Sequence, residues 1–220
     1  MLGQYYRGEW ISKDLLMDDA IWDPQMKRYV ELLLEKACAR PVLQFNRIDF
    51  RLPWFRHHFP NATIIHLYRH PREQWCSTLM DLTGYPQDAS MSQFAPHDKF
   101  YLRVWARDLA YHFPFLDESR LTHAYQLFYL LWKLSYLFGV KYSHYSLSYE
   151  SLLDEPDKQL TQLFSRLNIE YHDTNFLRTL IVEPSREKWK TYAGDEWFRG
   201  HEAMCETAME EYFGDWMSAN

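Results

Sequence analysis

Cysteine, positive charge and long apolar runs are what this sequence is short of. Its 220 residues hold three cysteines, Cys38, Cys76 and Cys205. They are odd in number, widely spaced and form no CxxC pair, so neither a disulfide framework nor a zinc site is indicated, and a reducing compartment is the natural setting. Basic residues number 24 against 30 acidic ones, a net charge of −6. That balance argues against nucleic acid and against anionic membranes, both of which call for a basic surface. It leaves room for one small basic pocket. The most apolar stretch, Leu127 to Phe138, is short and broken by Lys133, well under the ~20 residues that a membrane span requires. The opening MLGQYYRGEW has no apolar segment after a basic leader, so no signal peptide is visible. A soluble, cytoplasmic protein is the expectation.

What the sequence does have is aromatic residues, 18% of the total, with 9 Trp and 16 Tyr. They bury large areas, and a core rich in Tyr and Trp is the plain reading. Residues 1–23 resist assignment. From Pro24 the apolar positions Met26, Val30, Leu33, Leu34 and Ala37 recur at helical spacing, and Pro41 ends the pattern. Val42 to Phe45 reads as a buried strand and 49–58 as a helix. Ala62 to Tyr68 (ATIIHLY) is a near-continuous apolar, β-branched run, the pattern of a parallel strand covered on both faces. Pro71 suits the first turn of a helix reaching about Leu82. Helices are predicted over 98–116, 121–138, 157–167 and 195–213, with a strand over 140–147. Strands alternating with helices predict an α/β fold, a parallel sheet flanked by helices, in a single domain spanning 1–220.

Chemistry concentrates between Val42 and Asp81. A strand delivers Arg69 to its carboxyl end, Pro71 opens a helix, and Ser77 lies one and a half turns in. Ligands of open α/β sheets sit at that end of the strands. A guanidinium fork, a hydroxyl and a helix N-terminus converging there suit a phosphate. The alternative reading has Arg69 paired with a carboxylate such as Glu73 and Ser77 capping locally. The histidines His57, His58, His66 and His70 lack partners at ligand spacing, so no metal site is expected. His66 reads as a buried, satisfied side chain, and His70 and His144 remain outside possibilities for a base.

The order strand, Arg69, Pro71, Arg72, Glu73, Ser77, preceded by Phe59-Pro60-x-Ala62, resembles the 3′-phosphate-binding motif of sulfotransferases that use 3′-phosphoadenosine-5′-phosphosulfate. The resemblance implies that Arg69 and Ser77 hold the 3′-phosphate. Ser146 to Pro156 (SLSYESLLDEP) is similar to that family's strand ending in Tyr-Glu-x-Leu, which implies that Tyr149 lies against the adenine. Ser185 to Lys190 (SREKWK) resembles the basic loop that closes over the phosphate, implying roles for Arg186 and Lys188, with Lys190 adding charge. The family-like region covers about 40–212. Two departures stand out. The only early glycines are Gly3 and Gly8, with no apolar strand before them, so the phosphosulfate loop is missing and the P-loop NTPase-like fold is expected to be N-terminally truncated or divergent. The strand at Val42 to Phe45 ends in Gln44, Phe45, Asn46 and Arg47, without the Lys/His pair of many members. Arg47, just beyond that strand end, is the expected cation near the reacting group. The implied activity is sulfonate transfer to a hydroxyl or amine on a small-molecule or glycan acceptor, with Gly84 to Pro96 as the acceptor loop. The competing expectation is a non-catalytic remnant that binds a nucleotide or a partner.

Overall fold

The computed structural model describes residues 2–46, 48–170, 173–182 and 186–214. They fall into two compact units, residues 1–62 and 63–220.

The first unit is built on two helices, α1 (Pro24–Glu35) and α2 (Leu52–His58), with short 3₁₀ turns at Leu2–Gln4, Gly8–Ile11 and Asp49–Arg51. Asp23 starts α1 by accepting the Met26 N–H at 2.8 Å, and Pro24 occupies the first helical position, where its missing N–H costs nothing. Met26 and Val30 face inward. Arg51 is buried because its guanidinium donates to the carbonyls of Lys13 and Asp14 at 2.8 and 2.9 Å. The strand expected over Val42 to Phe45 does not form, and Val42 is 86% exposed. A strand must hand its N–H and C=O groups to a neighbouring strand, and the described residues of this unit contain none.

The second unit carries the sheet. Strand β1 (Ile65–Tyr68) is followed by α3 (Pro71–Thr78), α4 (Leu102–Leu109) and α5 (Ala124–Tyr142) before β2 (Tyr145–Ser148). The two strands are parallel, with Ile65 beside Tyr145 and Tyr68 beside Ser148. Helices α6 (Tyr149–Asp154), α7 (Pro156–Arg166), α8 (Thr174–Leu180), α9 (Trp189–Tyr192) and α10 (Asp195–Phe213) complete the unit. The sequence predicted α3 to reach Leu82, but it stops at Thr78, just before the left-handed Met80. The strand predicted from Val140 begins only at Tyr145 because α5 runs on to Tyr142.

Helix α5 is the centre of the packing. Ala124, Leu127, Leu130 and Leu134 are buried, and α3, α4, α10 and both strands lie against it. It starts at a capping box in which His123 accepts the Tyr125 N–H at 3.0 Å and Gln126 reaches back to the His123 N–H. Around Trp75, which is fully buried, ring contacts at 5.5–6.2 Å join Tyr85, Phe94, Tyr125, Phe128 and Tyr192. The aromatic-rich core that the composition predicts is thus centred on this tryptophan. On the inner face of β1, His66 lies against Gly139 of α5 so closely that a methyl group at 139 would sit 2.5 Å from the ring. His66 Nδ1 and Ser146 Oγ are 2.7 Å apart, and burial lowers the imidazole pKa to about 4. The outer face differs from the double-sided cover that the sequence predicted. Ile65 is 39% exposed and Leu67 56%.

Candidate functional site

Strand β1 ends at Tyr68, so Arg69 is the first residue past its carboxyl end. The Trp132 indole N–H donates to the Arg69 carbonyl at 3.1 Å and anchors the backbone there. His70 is the N-cap of α3. Its Nδ1 accepts the Arg72 N–H at 3.3 Å, and Pro71 takes the first helical position. Ser77, on the next turns, donates to the Glu73 carbonyl at 3.0 Å and so keeps its oxygen facing back toward Arg69. Arg69 Nη1 donates to Ser77 Oγ at 3.1 Å.

The rest of the guanidinium is loosely held. Nη2 lies 3.5 Å from Glu73 Oε2, and Nε lies 4.0 Å from Glu150 Oε1. Charge-assisted N–H···O contacts prefer about 2.7–2.9 Å. Nε is buried and makes no hydrogen bond. The Tyr149 ring stands 5.5 Å from the guanidinium carbon, within cation–π range. Glu150 is pinned by the His70 N–H at 3.0 Å and by the Ser148 hydroxyl at 3.0 Å. The local alternative made from the sequence describes part of what is seen. The arginine touches Glu73, the serine bonds its own helix, and the two side chains still meet.

Other predicted residues are placed differently. Arg186 pairs with Asp154 at 2.6 Å on the surface. Lys188 is exposed, and its charge acts on the Cys76 thiol, one residue before Ser77. Burial, then Glu73, pushes that thiol up to about 12, with Lys188 and Arg69 pulling the other way. The neighbour of Lys188, Glu187, donates its N–H to Glu73 of α3, whereas Arg186 is turned to Asp154. Lys190 pairs with Glu187. Arg47 and Ser185 lie outside the described residues. Both histidines considered as bases are occupied through Nδ1, His70 by the Arg72 N–H and His144 by the Ile64 N–H at 2.9 Å. Burial, then the charge of Arg72, also lowers the His70 pKa. No group of His, Cys, Asp or Glu among the described residues could hold a metal ion, and no helix among them is long and apolar enough to cross a membrane.

Sequence reasoning passed over Glu150 and the Trp132 anchor. Glu150 was visible, adjoining Tyr149 in the same motif. Trp132 carried no signal, because its partner is a backbone carbonyl 63 residues away. The arrangement can receive an oxyanion. It offers a partly free guanidinium, a hydroxyl and an aromatic face for a planar group. An orphaned Nε next to an aromatic ring fits the 3′-phosphate and adenine of an adenosine 3′-phosphate. The loop from Gly84 forms a separate hollow of about 340 Å³, lined by Tyr85, Asp88, Gln93 and His97 among others.

Comparison with known proteins adds an independent line. A sequence model described as the sulfotransferase family matches residues 49–173, more than half of the chain, and includes Arg69, Ser77 and Tyr149. No curated protein matches the chain, and no solved structure does. On the breadth of that match, the chain belongs to the sulfotransferase family.

Proposed function

We propose that the site at the head of α3 binds 3′-phosphoadenosine-5′-phosphosulfate through its 3′-phosphate and adenine. The protein then transfers the sulfonate of that donor to a hydroxyl or amine on a small-molecule or glycan acceptor. The observation that carries this reading is the Arg69 guanidinium. It stands at the carboxyl end of a parallel strand, touches Ser77 at 3.1 Å, and keeps a buried Nε without a hydrogen bond beside Tyr149. In this reading Arg69 and Ser77 bind the phosphate, Tyr149 orients the base, and Lys188 adds positive charge. Arg186 has a second role to leave, its pair with Asp154. Arg47 is proposed as the cation near the reacting group. The donor, when bound, supplies the sulfonate, and the hollow beside Tyr85 is the proposed acceptor pocket.

The test is titration of adenosine 3′,5′-bisphosphate into the wild type and Arg69→Ala by calorimetry. Loss of a charge-assisted contact is expected to cost about 1.5–3 kcal/mol of affinity. Equal affinities overturn the assignment.

A second reading, nucleotide binding without turnover, is favoured by one observation. Residues 2–23 contain two 3₁₀ turns and no strand leading into a glycine-rich turn, the usual way of cradling a phosphosulfate with backbone N–H groups. Removing one such donor in a comparable site costs about 10²–10³ in rate. Under this reading residues 1–220 alone bind the bisphosphate and turn over no radiolabelled donor on phenol, sugar or amine acceptors. Robust turnover on any of them excludes it.

A further inference from the structure

Glu73 is a carboxylate with its side chain only 10% exposed, and its two oxygens go to different places. Oε2 faces Arg69 Nη2 at 3.5 Å. Oε1 accepts the backbone N–H of Glu187, in the basic segment that also contains Lys188. Glu187 itself is left-handed, with φ of 61°, a conformation that is unfavourable for a residue with a side chain and persists only where contacts hold it.

We propose that Glu73 is a resident anion that occupies the phosphate place when no ligand is bound, and that an incoming phosphate must displace it from Arg69. The inference rests on the function proposed above. Glu73 does with one carboxylate what a phosphate does with its oxygens: it meets the guanidinium and accepts a backbone N–H. The long contact to Arg69 makes the exchange easy, because a looser ion pair gives up less when broken. When Glu73 swings off the guanidinium, Glu187 loses the acceptor that holds its left-handed turn. The segment carrying Lys188 is then free to move toward the phosphate. Binding at Arg69 and rearrangement at 186–188 are thereby one event, with Glu73 as the latch between them.

Two variants separate the parts. Glu73→Gln keeps an oxygen for the Glu187 N–H but removes the charge from Arg69, leaving the guanidinium Glu150 at 4.0 Å as its carboxylate beside the bond to Ser77. It is expected to bind adenosine 3′,5′-bisphosphate about tenfold more tightly than wild type, with little change in hydrogen exchange at the Glu187 amide. Glu73→Ala is expected to bind more tightly and also to speed that exchange in the unliganded protein. Wild-type binding that Glu73→Gln leaves equal or weaker overturns the displacement. Unchanged exchange in Glu73→Ala overturns the latch. Should neither wild type nor variants bind the nucleotide, the proposed function fails. Glu73 is then judged by inorganic sulfate, which must raise the melting temperature of Glu73→Gln more than that of wild type for the displacement to stand.

Discussion

Arg69 and Arg72 stand three residues apart at the head of one helix, and both face carboxylates and aromatic rings, but their charges are held very differently. Arg72 makes a bidentate pair with Glu202 at 2.8 and 2.7 Å and a third bond to Asp195 at 2.6 Å. The rings of Trp189 and Phe198 lie 5.0 and 5.1 Å from its guanidinium carbon. Glu202 in turn accepts the Tyr125 hydroxyl at 2.7 Å, so the cluster ties α3 to α5 and α10. Arg69 has one good bond, two long contacts and a buried Nε with no bond. A buried charge has to be matched by the fold or by a ligand. Arg72 is matched by the fold. Arg69 is matched in part, and the shortfall is what makes it available.

The sharpest way to break this comparison is to truncate both. Arg72→Ala leaves the half-buried Glu202 without its cation, while Asp195 keeps its pair with Arg199. The expected loss is about 3–5 kcal/mol of stability, seen as a fall in melting temperature on the order of 10 °C. Arg69→Ala should lose about 1.5–3 kcal/mol of nucleotide affinity while its melting temperature stays near wild type. A variant pair with the reverse pattern, Arg69 structural and Arg72 dispensable, ends the argument.

A smaller effect should appear with acid. Burial works to raise the Glu202 carboxyl, but hydrogen bonds from Arg72 and Tyr125 outweigh it and hold the group below the ordinary carboxylate range. Asp195 is lowered too, first by its bond to Arg72. Groups depressed in the folded state contribute stability above their unfolded pKa, about 4, and lose it as pH falls through the folded value. Melting temperature should therefore drop as pH is taken from about 5 downward. Arg72→Met, which keeps much of the packing but no charge, should show a shallower drop. An identical slope in the two proteins would mean that the cluster does not titrate as described.

The contrast between the two arginines was only half legible in the sequence. Arg69 and Ser77 could be placed because a β-branched run, a proline and a helical spacing fix their order locally. Arg72 was visible only as a motif position with no role, since Glu202 and Asp195 lie more than 120 positions further along. Helices α7 and α10 were read almost to the residue, and the helix at Pro24 was read from its start but ends at Glu35, short of the Ala37 that the apolar spacing included. Val42 to Phe45 misled because a short apolar run looks the same whether or not a neighbouring strand exists to pair with it. Helix α6 was missed because a six-residue helix is too short to show a period.

The contact between His66 and Gly139 bears on how finely Arg69 is set. The imidazole works as a spacer of fixed thickness between strand and helix, seated where α5 presents no side chain. Arg69 follows three residues on, just past the end of that strand, so the placement of its backbone is gauged from that seat. Any side chain at 139 would wedge the strand outward and carry Arg69 with it. Where reacting groups must be aligned, a misplacement on the order of 1 Å can cost about 10²-fold in rate. Residue 139 is not among the proposed binding residues, yet the width of the gap it leaves is a tolerance on the proposed site.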